Sequence, residues 1–221
     1  MTSIRGQRRA VPGAGKTSWE GVILSVQPRI RLMRSFDQLS HSYLGYVLRL
    51  RGLIGGEERE FLVAVGQGAH ANYQFQAGDE VSGWGVLVAD PRTETAELYK
   101  VSQLHVEKHS RAGQQDSPPW RGIPPELPVY RQRGHRRLNA GTYKTKCGAC
   151  LWGCRMAVEL IIDQWNPGRK KYREETFCYG PLSCPLHKAG PTRKVPGRKG
   201  MSWEEADWIE AEGVSHREPD D

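Results

Sequence analysis

Across 221 residues there is no apolar run approaching the roughly 20 residues that a membrane-spanning helix needs. The opening MTSIRGQRRAVPGAGK carries basic residues with no apolar stretch behind them, so a secretory signal is not expected and a cytoplasmic location is. Cysteine is scarce, with all five residues lying between Cys147 and Cys184, which excludes a disulfide framework spread through the fold. An odd number in C-x-x-C spacing, without an export signal, points to a reducing compartment and a bound metal. The marks of catalysis are missing too: no convincing carboxylate pair, no nucleophile with a placed histidine, and no intact nucleotide loop. An enzyme is therefore not expected.

The nearest approach to a nucleotide loop is the run from Ala10 to Thr17, AVPGAGKT. A phosphate loop needs a buried strand before it and a helix after it, so that backbone N–H groups face the phosphates. Here Arg5-Gly6-Gln7-Arg8-Arg9 precedes the run, and Trp19 to Val26 reads as a strand. What the chain does have is positive charge. Its 32 Lys and Arg outnumber 25 Asp and Glu, giving a net +7. Such a surface favours an anionic partner, most commonly nucleic acid.

Residues 1–17 read as a disordered basic N-terminus and residues 18–108 as a β-rich unit. Val22, Leu24, Val26, Ile30 and Leu32 share one parity, which predicts one long strand bending at Pro28. Ser35 to Ser42 interrupts. Leu44, Tyr46, Leu48 and Leu50 then alternate with polar and small neighbours, Gly55-Gly56 turns, and Phe61, Val63 and Val65 carry a third strand. A loop or short helix near His70 to Phe75 precedes a fourth strand over Val81 to Val88, and Leu98 to Val106 supplies a fifth.

Five strands with an interruption after the third is the order of an OB-fold. The phrase FQAGDEVSGWGVLV resembles the segment opening the fourth strand of many OB-fold nucleic-acid binders. A five-stranded barrel of the SH3 type is the alternative. The OB-fold resemblance implies a ligand face on the second and third strands, flanked by two loops. Tyr43, Arg49, Arg51 and Phe61 occupy that face, with Arg29, Arg31 and Arg34 leading into the first loop and Arg92 in the last. Aromatics that stack on bases beside cations that follow phosphates suit single-stranded DNA or RNA.

Residues 109–141 are rich in proline and read as an extended linker ending in the cationic run Arg131 to Arg137, where Arg136 and Arg137 are candidate phosphate contacts. Residues 142–190 hold the cysteines. Cys147 and Cys150 form one turn, and Cys178, Cys184 and His187 a second, with two strands and the turn Asn166-Pro167-Gly168 between them. Thiolates and imidazole at tight turns suit tetrahedral Zn2+, and the arrangement resembles a zinc ribbon. In that family each turn donates two ligands, which implies Cys147 and Cys150 with Cys178 and Cys184. His187 is the competitor for a place in the second pair. Cys154 is surplus, either a buried small residue or a ligand in another arrangement. An iron–sulfur cluster is the rival metal centre.

In residues 191–221 a basic loop offers Arg193, Lys194, Arg198 and Lys199 as further phosphate contacts. Ser202-Trp203-Glu204-Glu205 has the form of a capping box for a short acidic helix ending near Glu212, with a frayed end beyond it. Its Trp203 and Trp208 could meet a protein partner. The chain thus reads as a mainly β nucleic-acid-binding protein, an OB-like barrel followed by a zinc ribbon. A second reading resembles the accessory proteins of acyl-CoA enzymes, in which the same two modules serve a partner enzyme. A third is a protein–protein scaffold.

Overall fold

The computed structural model describes residues 15–35, 39–111, 113, 115, 117–163, 165–166, 168–205 and 207–221. The expected disorder of the N-terminus and most of the loop-like run Ala10 to Thr17 lie outside them. Lys16 and Thr17 already belong to the first strand. The chain is mainly β. In order come β1 (Lys16–Arg34), β2 (Leu39–Ile54), β3 (Glu57–Val65), α1 (Gln67–Tyr73), β4 (Glu80–Leu87) and β5 (Leu98–Lys108). These are followed by α2 (Leu127–Arg133), β6 (Arg136–Arg137), α3 (Ala140–Thr142), β7 (Gly153–Ile161), β8 (Lys170–Cys178), β9 (Lys194–Pro196), β10 (Ser202–Glu204) and α4 (Asp207–Val214).

Gly55 and Gly56, at φ 59° and 90°, make the left-handed two-residue turn that joins β2 to β3. Antiparallel pairing links β1 to β2, β2 to β3, β5 to β4 and β4 to β1, while β3 meets β5 in parallel at Val63 and Leu98. The pairings of the first five strands therefore return to the strand they began on. The far end of β1 also pairs in parallel with β7, Arg31 opposite Ala157 through Arg34 opposite Leu160, and β8 and β6 continue outward from there.

The expected parity of β1 fails in its first half. Ile23 is buried and Val22 exposed. The cause is a bulge: Ile23 faces Leu50 and Ser25 faces Arg49, so Leu24 is an extra residue that reverses the inward face. Beyond it Val26, Ile30 and Leu32 point inward as expected. A matching irregularity leaves Leu44 unpaired on β2.

One hydrophobic cluster takes in Leu48, Phe61, Val63 and Leu98 from the first five strands. It also contains Leu127 and Tyr130 of α2, and Met156, Val158, Phe177 and Tyr179 of the β7–β8 hairpin. The stretch expected as an extended linker thus contributes a helix to the core. Pro128 stands in the first turn of α2, where its missing N–H costs nothing. Tyr130 is fully buried and donates its hydroxyl to the Leu151 carbonyl at 2.8 Å. Pro124 and Pro125 accept hydrogen bonds from His70 and Tyr46.

The tail differs as well. Ser202 to Glu204 forms β10 against β9 and caps no helix, because Trp203 pairs with Val195 and the Glu205 carboxylate goes to Arg34 at 2.7 Å. The chain end is held, with Arg217 buried and donating to the Gly180 carbonyl at 2.8 Å. Among the described residues no helix is long and apolar enough to cross a membrane.

A shared core predicts a single unfolding transition. Tyr130→Ala should lower stability by about 3–5 kcal/mol and move that one transition down, whether followed by far-UV dichroism or tryptophan fluorescence. Two transitions at different temperatures would contradict a common core.

Candidate functional site

The first cysteine turn is built on close backbone approach. Asn139 caps α3 by accepting from the Thr142 N–H at 3.1 Å, and a wide helical turn over Tyr143–Cys147 delivers the chain to Cys147. Cys150 N–H and Gly153 N–H then close successive turns onto the carbonyls of Cys147 and Cys150, each at 3.0 Å. A Cβ on Gly153 would stand 2.5 Å from the Cys147 carbonyl oxygen and 2.8 Å from Gln27 Nε2, so only glycine fits. From β1, the buried Gln27 donates Nε2 to the Cys147 and Cys150 carbonyls at 3.0 and 2.7 Å and accepts from the Tyr143 hydroxyl at 2.7 Å.

The hairpin register sets Gly153 opposite Cys178, bringing the second cysteine turn beside the first. Cys178 Sγ accepts from the Gly180 N–H at 3.4 Å, and His187 N–H closes onto the Cys184 carbonyl at 3.1 Å. Cys147, Cys150, Cys178, Cys184 and His187 all line one cavity of about 10 Å³, closed by Trp120 and its neighbouring prolines. Burial and the adjoining thiols push the Cys147 thiol up to about 11, and burial pushes Cys150 up to about 12. His187 Nε2 contacts the Arg137 carbonyl at 3.2 Å, the kind of outer contact that orients a ligating imidazole. The donors are of the type and number zinc takes. Among the described residues, however, no three of the Cys, His, Asp and Glu side chains stand as they are in a group able to hold an ion. Side-chain rotation within the cavity would have to draw the sulfurs together. Cys154 is elsewhere: fully buried in the main core, it contacts the Pro28 carbonyl at 3.4 Å and does not line the cavity.

A second cavity, a cleft of about 620 Å³, lies over β2 and β3. Val47, Arg49 and Leu62 line it from those strands, and Tyr143, Lys144 and Arg155 from the cysteine module. Glu60, Glu97 and Glu174 also face it, so its charge is mixed. Arg49 reaches Glu60 at 2.5 Å and Arg155 reaches Glu174 at 3.6 Å. Gln27, Tyr143, Lys144 and Arg155 were not picked out in sequence. Gln27 falls on the polar parity of its strand, with Ser25, Arg29 and Arg31, and so left no signal there.

Many of the expected phosphate contacts are engaged within the molecule. Phe61 is sealed in the core and offers no face for stacking. Arg34 and Arg193 are drawn to the buried carboxylate of Glu175, at 3.6 and 3.4 Å, with Arg173 beside them. Arg136 is buried and donates to the carbonyls of Leu182 and Pro181, at 3.1 and 2.7 Å, pinning the second cysteine turn. Arg137 binds Asp207 and Glu210 of α4. Arg29 pairs with Glu94, and Arg31, more exposed, approaches the same carboxylate at 3.7 Å. Arg51 joins Arg49 on Glu60, while Arg92 pairs with Asp90 at 2.8 Å. Tyr43 is half-buried beneath Arg131, whose guanidinium stands 4.9 Å from the ring centroid. Lys194, Arg198 and Lys199 are exposed on the tail loop, Lys194 with Glu204 at 3.3 Å and Arg198 with Asp163 at 3.6 Å.

The cationic run also contains a half-buried histidine. His135 packs edge-on against Phe177 and lies 4.7 Å from the His41 ring. Burial, then His41 and Arg34, lowers His135 to about 3. Burial and Arg34, opposed by Glu205, lower His41 to about 4. No family model, curated protein or solved structure matches this chain.

Both imidazoles fold neutral, whereas an unfolded chain protonates them near pH 6.5. Below that value the unfolded state binds more protons, so their contribution is intact above pH 6.5 and is lost as pH falls toward 4 and 3. Stability should therefore drop across pH 6.5 to 5, His135 contributing on the order of 1 kcal/mol per pH unit. Denaturant titrations of His135→Phe should show a shallower slope. Equal slopes in the two proteins would contradict a neutral His135.

Proposed function

We propose that the chain is a nucleic-acid-binding protein with a preference for single strands, built as an OB-like barrel braced by a zinc-ribbon-type module. The barrel reading draws support from the pairings that return to β1 and from the helix between β3 and β4. The observation that carries the functional reading is the 620 Å³ cleft on the β2–β3 face, where OB-fold binders hold their ligands. Arg49, Lys144, Arg155 and Arg193 supply its cations, Arg193 being tied to the buried Glu175. Arg49 and Arg155 are paired with carboxylates, but these ion pairs are partly solvated and worth about 1 kcal/mol or less. An incoming phosphate can exchange for them at little cost.

Zinc held by Cys147, Cys150, Cys178 and Cys184, with His187 as the competitor, would fix the two turns against each other and keep Tyr143 and Lys144 on the wall of the cleft. A cluster using Cys154 is disfavoured by its place in the core. A protein-contact role has one observation on its side: Trp208 and Ile209 of α4 are 65% and 42% exposed.

Purified protein should carry one zinc per chain. Cys147→Ser and Cys178→Ser should lose it, while Cys154→Ala keeps it. Filter binding to DNA and RNA oligonucleotides should weaken steeply from low to high salt, as counterion release requires. Absence of binding at low salt, or affinity indifferent to salt, would contradict the nucleic-acid reading, and metal-free native protein would contradict the zinc.

A further inference from the structure

The barrel aromatics expected to stack on bases are buried or half-buried, but one aromatic side chain stands almost wholly in solvent. Trp165, at the tip of the β7–β8 hairpin, is 84% exposed, more than any other large apolar residue described. A tip with an outward tryptophan serves no core. Backbone hydrogen bonds close it nevertheless. The Asn166 N–H bonds to the Asp163 carbonyl at 3.1 Å, the Arg169 N–H to the Asn166 carbonyl at 2.9 Å and the Ile162 N–H to the Arg169 carbonyl at 3.2 Å.

Asp163 organises the charge around this tip. One of its carboxylate oxygens, Oδ1, accepts the Trp165 N–H at 3.1 Å and lies 3.6 Å from Arg198 Nε of the tail loop. A single oxygen thus joins the hairpin tip to the basic loop carrying Arg198 and Lys199. Arg169 and Lys171 are exposed on the returning side of the hairpin. Lys170, between them, is held by Glu159 at 2.6 Å. An exposed indole thus shares its end of the molecule with exposed cations of the hairpin and of the tail loop, which Asp163 brings to it through Arg198.

We infer that this hairpin tip is a second contact surface for single-stranded nucleic acid, with Trp165 stacking on a base and Arg169, Lys171, Arg198 and Lys199 meeting the flanking phosphates. The inference rests on the nucleic-acid reading of the protein and assigns its stacking contact, which the β2–β3 face does not provide. An indole stacks on any base face, so the contact is tolerant of sequence, and the guanidinium and ammonium groups around it follow the backbone. A cationic, solvated tip is also what distinguishes it from the apolar surface around Trp208, where α4 directs its acidic residues to Arg137.

The test uses full-length protein and fluorescein-labelled oligo-dT and oligo-U, measured by anisotropy at low salt. Trp165→Ala should weaken binding on the order of ten-fold, Trp165→Phe should stay within a few-fold of wild type, and Arg169→Glu with Lys199→Glu should reduce both affinity and the salt slope. The melting temperature of each variant should match wild type, since Trp165 supports no core. Wild-type binding with Trp165→Ala and the double charge variant indistinguishable from it would overturn the hairpin contact while leaving the nucleic-acid reading intact. No wild-type binding to either oligonucleotide would overturn both. Loss in Trp165→Ala without recovery in Trp165→Phe would overturn stacking as the mode of contact.

Discussion

One buried amide ties the first five strands to the cysteine turn, alongside the shared core and the pairing of β1 with β7. Gln27 lies in β1 beside Val26 and Pro28, and both ends of its side chain are engaged: the amide nitrogen donates to two carbonyls of the first cysteine turn, and its oxygen accepts from Tyr143. Each such bond adds about 1 kcal/mol, but a partner left unsatisfied inside the protein costs about 1–3 kcal/mol. The penalty for misplacing the turn therefore exceeds the gain from any one contact. Gly153 permits the approach, the β7–β8 register carries Cys178 to the same place, and Arg136 holds the second turn from behind. Gln27 holds the first cysteine turn and Tyr143 of the cleft wall, while the hairpin register supplies the second turn.

The positive charge of the chain is spent in two ways. Buried arginines act as structural crosslinks, around Glu175 and through Arg136 and Arg217 to backbone carbonyls. A buried carboxylate among several guanidiniums is costly to break because the remaining charges cannot be solvated. These groups are poorly placed to leave for a phosphate. Exposed cations around the cleft and on the hairpin tip face no such barrier, and any anionic ligand has to work through them.

Much of the β architecture was legible in sequence, since alternation and turn glycines report directly on strands. The order of five strands and the hairpin between cysteine clusters emerge from local pattern, while the segment after the third strand reads as either a loop or a short helix. What was not legible depends on partners distant in sequence. Leu24 looks like its neighbours until β2 supplies the register that makes it a bulge. Arg34, Arg136 and Arg193 look like surface charge because Glu175 and the carbonyls of the second turn are out of view. Ser202 and Glu205 have the spacing of a capping box, yet β9 and Arg34 claim them first. The prolines before Tyr130 suggest an extended linker, though Pro128 opens a helix that the core requires. Cys147, Cys150, Cys178, Cys184 and His187 were named from spacing alone and do share a cavity, whereas Cys154, one residue past Gly153, turns to the other side of the hairpin.

The common core and the Gln27 contacts make the first five strands and the cysteine module one body rather than two beads on a linker. Amide hydrogen exchange on wild type and Gln27→Leu tests this most directly, because it reads local opening residue by residue. Loss of the amide should speed exchange at the Cys150 and Gly153 N–H groups and along β7, where the turn feeds the shared sheet. Unchanged exchange at those positions, with any effect confined to β1, would show that the cysteine turn stands without its anchor and would contradict the account.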